Sequence, residues 1–343
     1  MRTQVLQHIA PRQVEVRDMA LAPPADGEVL LETEYSAISP GTESLIFQGR
    51  MPADLPLDAT LASLPGTFAY PFAYGYALVG KVIEIGGAVA ADWLGKRVFV
   101  FHPHQRHVVT PADHCLPIPD DVSSRAALFL PNMESALNFV MDGGPLVGET
   151  ALVFGQGVVG LLTTAVLASF PLQRLVTLDT LATRRDRALQ WGAHESIDPL
   201  QPEAWRSLQR SLFPGAGGAE GADVCFELSG NMAAINQAIA LSGFAGRIII
   251  GSWYGDASQP LDLGGHFHRR RIQLISSQVS TLHPALSGRW SKPRRLALAW
   301  DWLRRIRPDN LVSHEFTFAD CRKAFALNSA RTDGVLQTIF NYS

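Results

Sequence analysis

Cysteine is scarce in this chain. Cys115, Cys225 and Cys321 are the only three in 343 residues, and no two form a CxxC pair. That excludes a disulfide framework and a thiolate zinc lobe, and it makes a reducing, cytoplasmic setting the expectation. Long apolar runs are missing too. The opening "MRTQVLQHIAPRQVEVRD" has no apolar core of the signal-peptide kind, and no stretch approaches the ~18 residues that span a bilayer, so no membrane partner is expected. Excess charge of one sign is also absent. A net charge of −3 gives no electrostatic case for nucleic acid, and the short basic runs "HRRRI" (268–272) and "KPRR" (292–295) lie beside apolar residues that would order them. No internal repeat is found.

What is present is 47% hydrophobic residues arranged in two regimes. From Val14 to about Pro119 short alternating runs such as "EVLLETEYSAIS", "YALVGKVIEIGG" and "KRVFVF" are broken by Gly and Pro, which predicts a small all-β unit. Within it, "MPADLPLDATLASLPGTFAYPFAYGY" reads as a long ordered loop carrying apolar side chains. "SSRAALFLPNMESALNFVMDGG" predicts a helix capped by Ser123 or Ser124. Strand and helix patterns then alternate through "TALVFGQGVVGLLTTAVLASF", "LQRLVTLDTLATRRDRALQWGA", "ADVCFELS", "GRIIIGSW" and "RIQLISSQ", the signature of a doubly wound parallel sheet in an α/β protein. "PRRLALAWDWLRRI" predicts an amphipathic helix, and the last segments return to strand patterning. Residues 1–124, completed by 285–343, are expected to form one domain and residues 125–284 the other. Pro214–Asp223 is expected to be a surface loop.

"VFGQGVVG" places Gly155, Gly157 and Gly160 in G-x-G-x-x-G spacing, after a strand and opening a helix. The first glycine permits the tight turn, the second lets a pyrophosphate approach the backbone, and the third lets helix pack on strand. The amides of Gln156, Val158 and Val159 belong to the same anion-binding turn. Asp179 ends the next strand about 20 residues beyond Gly160, where a carboxylate takes the ribose hydroxyls. This favours NAD, while Arg184 and Arg185 leave NADP open, since a guanidinium can pair a 2′-phosphate. Further cofactor contacts are expected at the carboxyl ends of later strands: Leu228 and Ser229, then Gly251, Ser252 and Trp253, then Ser276 and Ser277.

These features in this order resemble the medium-chain dehydrogenase/reductase superfamily, of the zinc-type alcohol dehydrogenase kind, over almost the whole chain. More narrowly, "SAISPGTESLIFQGRMP", "FHPHQ", "PNMESALN", "GSWYG" and "FHRRRIQLISSQ" are similar to the branch that includes bacteriochlorophyllide hydroxyethyl dehydrogenase. The resemblance implies a GroES-like β domain joined to a Rossmann domain, and a nicotinamide-dependent oxidoreductase. It also implies replaced zinc ligands: Pro40 stands for the first cysteine, Tyr76 for the histidine, Ala77 for the adjacent acid, and Pro131 or Asn132 for the last cysteine. His102, His104 and His107 do not make good the loss. His102 and His104 would share one face of a strand, but the further ligands a zinc site needs are not visible, so no metal is expected.

Without a metal, a protein donor must meet the developing oxyanion. The candidates are Thr42, which matches the family's relay hydroxyl, Tyr76, His104 and Glu134, whose places in the family fold converge on the interdomain cleft. Phe47, Phe68, Tyr70, Phe72 and Tyr74, with Trp253 and Tyr254, point to a roomy apolar pocket and a bulky, apolar small-molecule substrate. The leading reading is a zinc-independent enzyme interconverting a secondary alcohol and a ketone. Reduction of an enone or quinone, and a non-catalytic dinucleotide sensor, are the alternatives. A homodimer formed through the "GRIIIGS" and "RIQLISS" sheet edge is expected.

Overall fold

The computed structural model describes residues 1–215, 220–330 and 332–343. Contacts divide the chain into two compact units, Met1–Pro131 with Trp300–Ser343, and Asn132–Ala299. Both crossings fall inside helices, Leu130–Gly143 and Lys292–Ile306, and so differ from the expected crossings near residues 125 and 285. Helical periodicity runs straight through such a crossing, so pattern alone cannot mark it.

The first unit is built on a seven-stranded mixed sheet. Its order is Val312–Thr317, Gln337–Asn341, Glu28–Ile38, Leu78–Ile85, Arg97–Val100 and Leu116–Pro117, with His107–Pro111 also paired to Glu28–Ile38. The alternation read in these segments puts Val29, Leu31, Leu78, Val82, Val98 and Val108 into one core. Gly80 is needed where Leu78–Ile85 crosses its partner strand, because a Cβ there would lie 2.6 Å from the Glu32 carbonyl oxygen.

The 51–76 loop is ordered and irregular, as expected, but most of its rings pack into a core, and of them only Phe72 also borders a cavity. Phe68, Phe72 and Tyr74 are buried with Ile46, Leu57 and Leu64, and Phe68 meets Phe72 edge to face at 5.7 Å. Phe47 belongs to a neighbouring core with Phe318 and Phe325. Aromatic area that packs so well on itself is removed from water and from any ligand. A cavity of about 480 Å³ beside the loop is lined by Thr3, Gln7, Leu57, Phe72, His102 and Gln105, and by none of the candidate donors.

The second unit is a six-stranded, wholly parallel sheet. Its order is Glu195–Ile197, Arg174–Leu178, Thr150–Phe154, Ala222–Glu227, Ser242–Ile250 and Gln273–Ser276. This is the order of the dinucleotide-binding fold, with its switch point between Thr150–Phe154 and Ala222–Glu227. Every residue of Thr150–Phe154 is buried, as a parallel strand covered on both faces requires. Ser242–Ile250 has partners on both sides, so "GRIIIGS" cannot be an edge; of the two segments, "RIQLISS", with Gln273–Ser276, holds an edge strand. The expected helix cap is Ser123, whose Oγ accepts from the Ala126 amide at 3.0 Å. Part of the 214–223 loop lies outside the described residues. No described helix is long and apolar enough to cross a membrane.

Candidate functional site

Two constellations stand out, one in each unit. In the second, the strand Thr150–Phe154 ends at Gly155, whose φ of +87° admits glycine and few other residues. A Cβ on Gly155 would lie 2.5 Å from Ser229 Cα, and one on Gly160 would lie 1.9 Å from the Gly155 carbonyl oxygen. Gly157 differs, since its Cβ would meet only Arg184 Nη1, at 3.8 Å. The space over Gly157, at the N-terminus of the helix Val158–Leu167, is therefore open, and it is a cradle a side chain would fill. The residues fit a dinucleotide pyrophosphate.

Asp179 braces this turn. Its Oδ2 accepts from the Gln156 amide at 2.6 Å and its Oδ1 from the Leu181 amide at 2.9 Å. Arg184 Nη1 stands 3.9 Å from Asp179 Oδ2, so carboxylate and guanidinium stand together beside the turn. The Gln156 side chain is fully buried. Its Nε2 donates to the Gly155 carbonyl and its Oε1 accepts from Thr164, so this residue offers a ligand only its backbone.

Of the other expected contacts, Leu228 donates its amide to Phe154 O at 2.8 Å and continues the sheet. A Cβ on Gly251 would meet Leu228 and Phe139 at 2.6 Å, which marks a packing glycine. Ser252 Oγ accepts from the Gly230 amide at 2.9 Å, Trp253 is 45% exposed, and Ser276 is exposed at the edge strand's end. Ser277 instead turns inward, with Asn138 donating to its Oγ at 2.9 Å and Asp142 accepting from it. Sequence reasoning missed Glu227, and it read Tyr254 as a pocket ring rather than as a partner of that carboxylate. The Glu227 carboxylate is buried and accepts from the Ser229 amide at 2.8 Å, from Ser229 Oγ and from Tyr254 Oη. The signal was there, since "ADVCFE" is an apolar run ending in a lone acid.

Glu134 also lies in this unit, and it is locked in a buried ion pair with Arg295 at 2.9 Å. Arg295 further donates to Asn138 Oδ1 and to the carbonyls of Thr281 and Val279. Burial pushes the Glu134 carboxyl up and Arg295 pulls it back down. This geometry suits a structural tie better than a base.

In the first unit, the short helix Thr42–Phe47 presents Glu43 inward. Glu43 Oε1 accepts from the Ser39 amide at 2.8 Å, and Oε2 lies 2.9 Å from His104 Nε2. His104 Nδ1 lies 2.7 Å from Ser36 Oγ, which is 2.9 Å from Tyr342 Oη. With its hydrogen on Nε2, His104 donates to Glu43 and accepts from Ser36, which accepts from Tyr342, so every partner is used. Glu43, His104 and Ser36 have no exposure at all, so His104 cannot meet a substrate directly. Gly75, at φ +132°, leaves room for the imidazole, 3.0 Å from where a Cβ would stand.

Beside this group, the Tyr76 phenol stands near the side-chain hydroxyls of Ser39 and Thr42. Burial pushes the Tyr76 phenol up to about 12, and the Glu43 charge adds to the effect, while the two hydroxyls oppose it. Tyr76 thus keeps its proton throughout the neutral range. Thr42 and Tyr76 are brought together, with Ser39 as a partner not foreseen. His102 does not share a strand with His104, because the strand ends at Val100 and the His102 ring folds onto the Pro103 carbonyl.

The zinc-type family holds a metal, and the residues at the matching places do not fit one. Pro40 and Ala77 offer no side-chain donor, and burial holds the Tyr76 hydroxyl protonated. Among the described residues no group of three or more His, Cys, Asp or Glu could hold a metal ion.

Residues 158–294 match the family of zinc-binding dehydrogenases. The chain is 23% identical to D-guloside 3-dehydrogenase of Escherichia coli K12 over 91% of each chain. Among solved structures it is similar to an alcohol dehydrogenase, rspB, of E. coli CFT073 complexed with NADH, at TM-score 0.79 and 19% identity over 99% of both chains. It is similar also to a Sinorhizobium meliloti 1021 protein bound to NADP, at TM-score 0.76 and 18% identity over the whole of both. Over almost its whole length the chain is thus similar to dehydrogenases, and it shares the fold of solved structures that hold NADH or NADP.

Proposed function

We propose that this chain interconverts a secondary alcohol and its ketone with NAD, without zinc, and that Tyr76 holds the proton for the substrate oxygen. The observation that carries this reading is the hydroxyl group of three, Ser39, Thr42 and Tyr76, gathered where the family would hold its metal. The bound nicotinamide supplies or removes the hydride. The protein's part is a donor for the oxygen that becomes negative, and a phenol held protonated in a desolvated site is such a donor. Ser39 and Thr42 orient the phenol and offer the path by which it regains a proton. Thr42, His104 and Tyr76 remain in the site on this reading, His104 as the group that fixes Glu43 and the Ser39 turn. Glu134 leaves it.

NAD is the proposed cofactor because Asp179 is a carboxylate at the ribose end of the turn, with Arg184 beside it leaving room for NADP. The exposure of Trp253 supports a bulky substrate. The three buried free thiols suit the cytoplasm, and the edge strand Gln273–Ser276 suits a homodimer.

The test is Tyr76→Phe on a panel of secondary alcohols, ketones, enones and quinones, followed by nicotinamide absorbance. Turnover should fall about 100-fold or more, the size of a lost general acid, with NADH affinity retained. Unchanged turnover, or stoichiometric zinc in protein purified without added metal, would overturn the reading. Activity confined to enones or quinones would move the chain to the second class of reaction.

A further inference from the structure

A buried carboxylate whose partners are neutral donors is expensive to keep, and Glu227 is one. It ends the central strand Ala222–Glu227 with no exposure, and its hydrogen-bond donors among the described residues are Ser229 N, Ser229 Oγ and Tyr254 Oη. An apolar residue would fill the strand end without the desolvation cost. The donors reach the carboxylate from two loops, those following Ala222–Glu227 and Ser242–Ile250, which are the carboxyl-end loops where open α/β sheets bind ligands. Ser252 adds a second tie between the same loops, donating to the Glu227 carbonyl at 3.3 Å and accepting from the Gly230 amide at 2.9 Å.

The consequence reaches the cofactor turn through Ser229. Its Cα and N stand 2.5 and 2.6 Å from where a Gly155 Cβ would be, so the backbone of Ser229 is the wall against which the glycine turn is folded. Ser229 in turn is held by both its amide and its hydroxyl on one oxygen of Glu227, while Tyr254 occupies the other. We propose that Glu227 and Tyr254 are positioning residues for the dinucleotide: the carboxylate fixes Ser229, Ser229 fixes the turn at Gly155, and Tyr254 keeps the carboxylate aimed. The inference rests on the reading that this turn takes a dinucleotide pyrophosphate.

The test uses the full chain with NADH as the probe, titrated by fluorescence, alongside thermal melting and steady-state kinetics. Wild type must bind NADH or NADPH; if it binds neither, the reading of the turn fails and the proposal with it. Given wild-type binding, Tyr254→Phe, which deletes one hydrogen bond and little volume, should weaken NADH about fivefold. The loss should fall on KM for the dinucleotide rather than on kcat, with the melting temperature held. Glu227→Gln should weaken NADH further, because an amide cannot accept from all three donors. Wild-type NADH affinity in folded Tyr254→Phe would overturn the proposal, and so would an affinity loss that only tracks a fall in melting temperature. Should Glu227→Gln fail to fold, Tyr254→Phe decides alone.

Discussion

A carboxylate shut away from water needs donors of its own, and Glu43 has two, the Ser39 amide and His104 Nε2. The second is replaceable in kind. His104→Gln can still present a donor to Glu43 and an acceptor to Ser36, whereas His104→Leu leaves both stranded. An unsatisfied buried polar group costs roughly 1–3 kcal/mol, so we expect His104→Leu to lose about 3 kcal/mol in urea unfolding and His104→Gln less than half of that. Equal losses would mean that the imidazole matters for its shape alone. Legibility at this scale was uneven. Thr42 and Tyr76 were found because the family frame points to them, and Glu43 was quoted as part of the same frame. Ser36 and Tyr342 were invisible, since 306 residues separate them and only the pairing of Glu28–Ile38 with Gln337–Asn341 brings them together. Which arginine Glu134 would take was likewise unreadable, because 161 residues separate it from Arg295.

The element that was most legible is the glycine turn. Spacing, preceding strand and following helix are all local facts, and the structure adds the reason that each glycine differs. Gly160 meets the Gly155 carbonyl inside the fold, while Gly157 faces open space. Gly160→Ala should therefore lower stability, because a Cβ 1.9 Å from an oxygen forces helix and strand apart. Gly157→Val should fold with a near-normal melting temperature and lose NADH binding by about tenfold or more, since its side chain occupies the space the pyrophosphate needs. The paired measurement, thermal melting and NADH titration on both variants, distinguishes the two. If Gly157→Val bound NADH as wild type does, the proposed cofactor site would be wrong. What was not legible in the same unit is equally physical. "GRIIIGS" and "RIQLISS" have the same apolar look, and only strand order tells the interior one from the edge.

At the scale of the whole molecule, two histidines, His8 buried and His102 half-buried, tie the stability of the first unit to pH. His8 sits in the strand Arg2–Ala10, stacked on Phe72 and edge-on to Phe325, each at 5.3 Å, with neither ring nitrogen hydrogen-bonded. Burial, with a further push from His104, lowers its pKa from 6.5 to about 3. His102, on the Pro103 carbonyl, is lowered by burial to about 4. Above pH 6.5 each is neutral folded and unfolded, and stability does not depend on either. As pH falls from 6.5 toward those depressed values the unfolded chain takes up protons that the fold refuses. Stability is then lost at about 1.4 kcal/mol per pH unit for each histidine. His8→Leu keeps the apolar packing between the two phenylalanines and removes the titrating group. It should leave unfolding near pH 8 little changed or slightly improved, because two unsatisfied ring nitrogens go with it, and it should make the decline between pH 6 and pH 4 shallower by about 1.4 kcal/mol per pH unit. Urea unfolding across that range measures both, and an acid limb in His8→Leu parallel to that of wild type would show that His8 is not what makes the fold acid-sensitive.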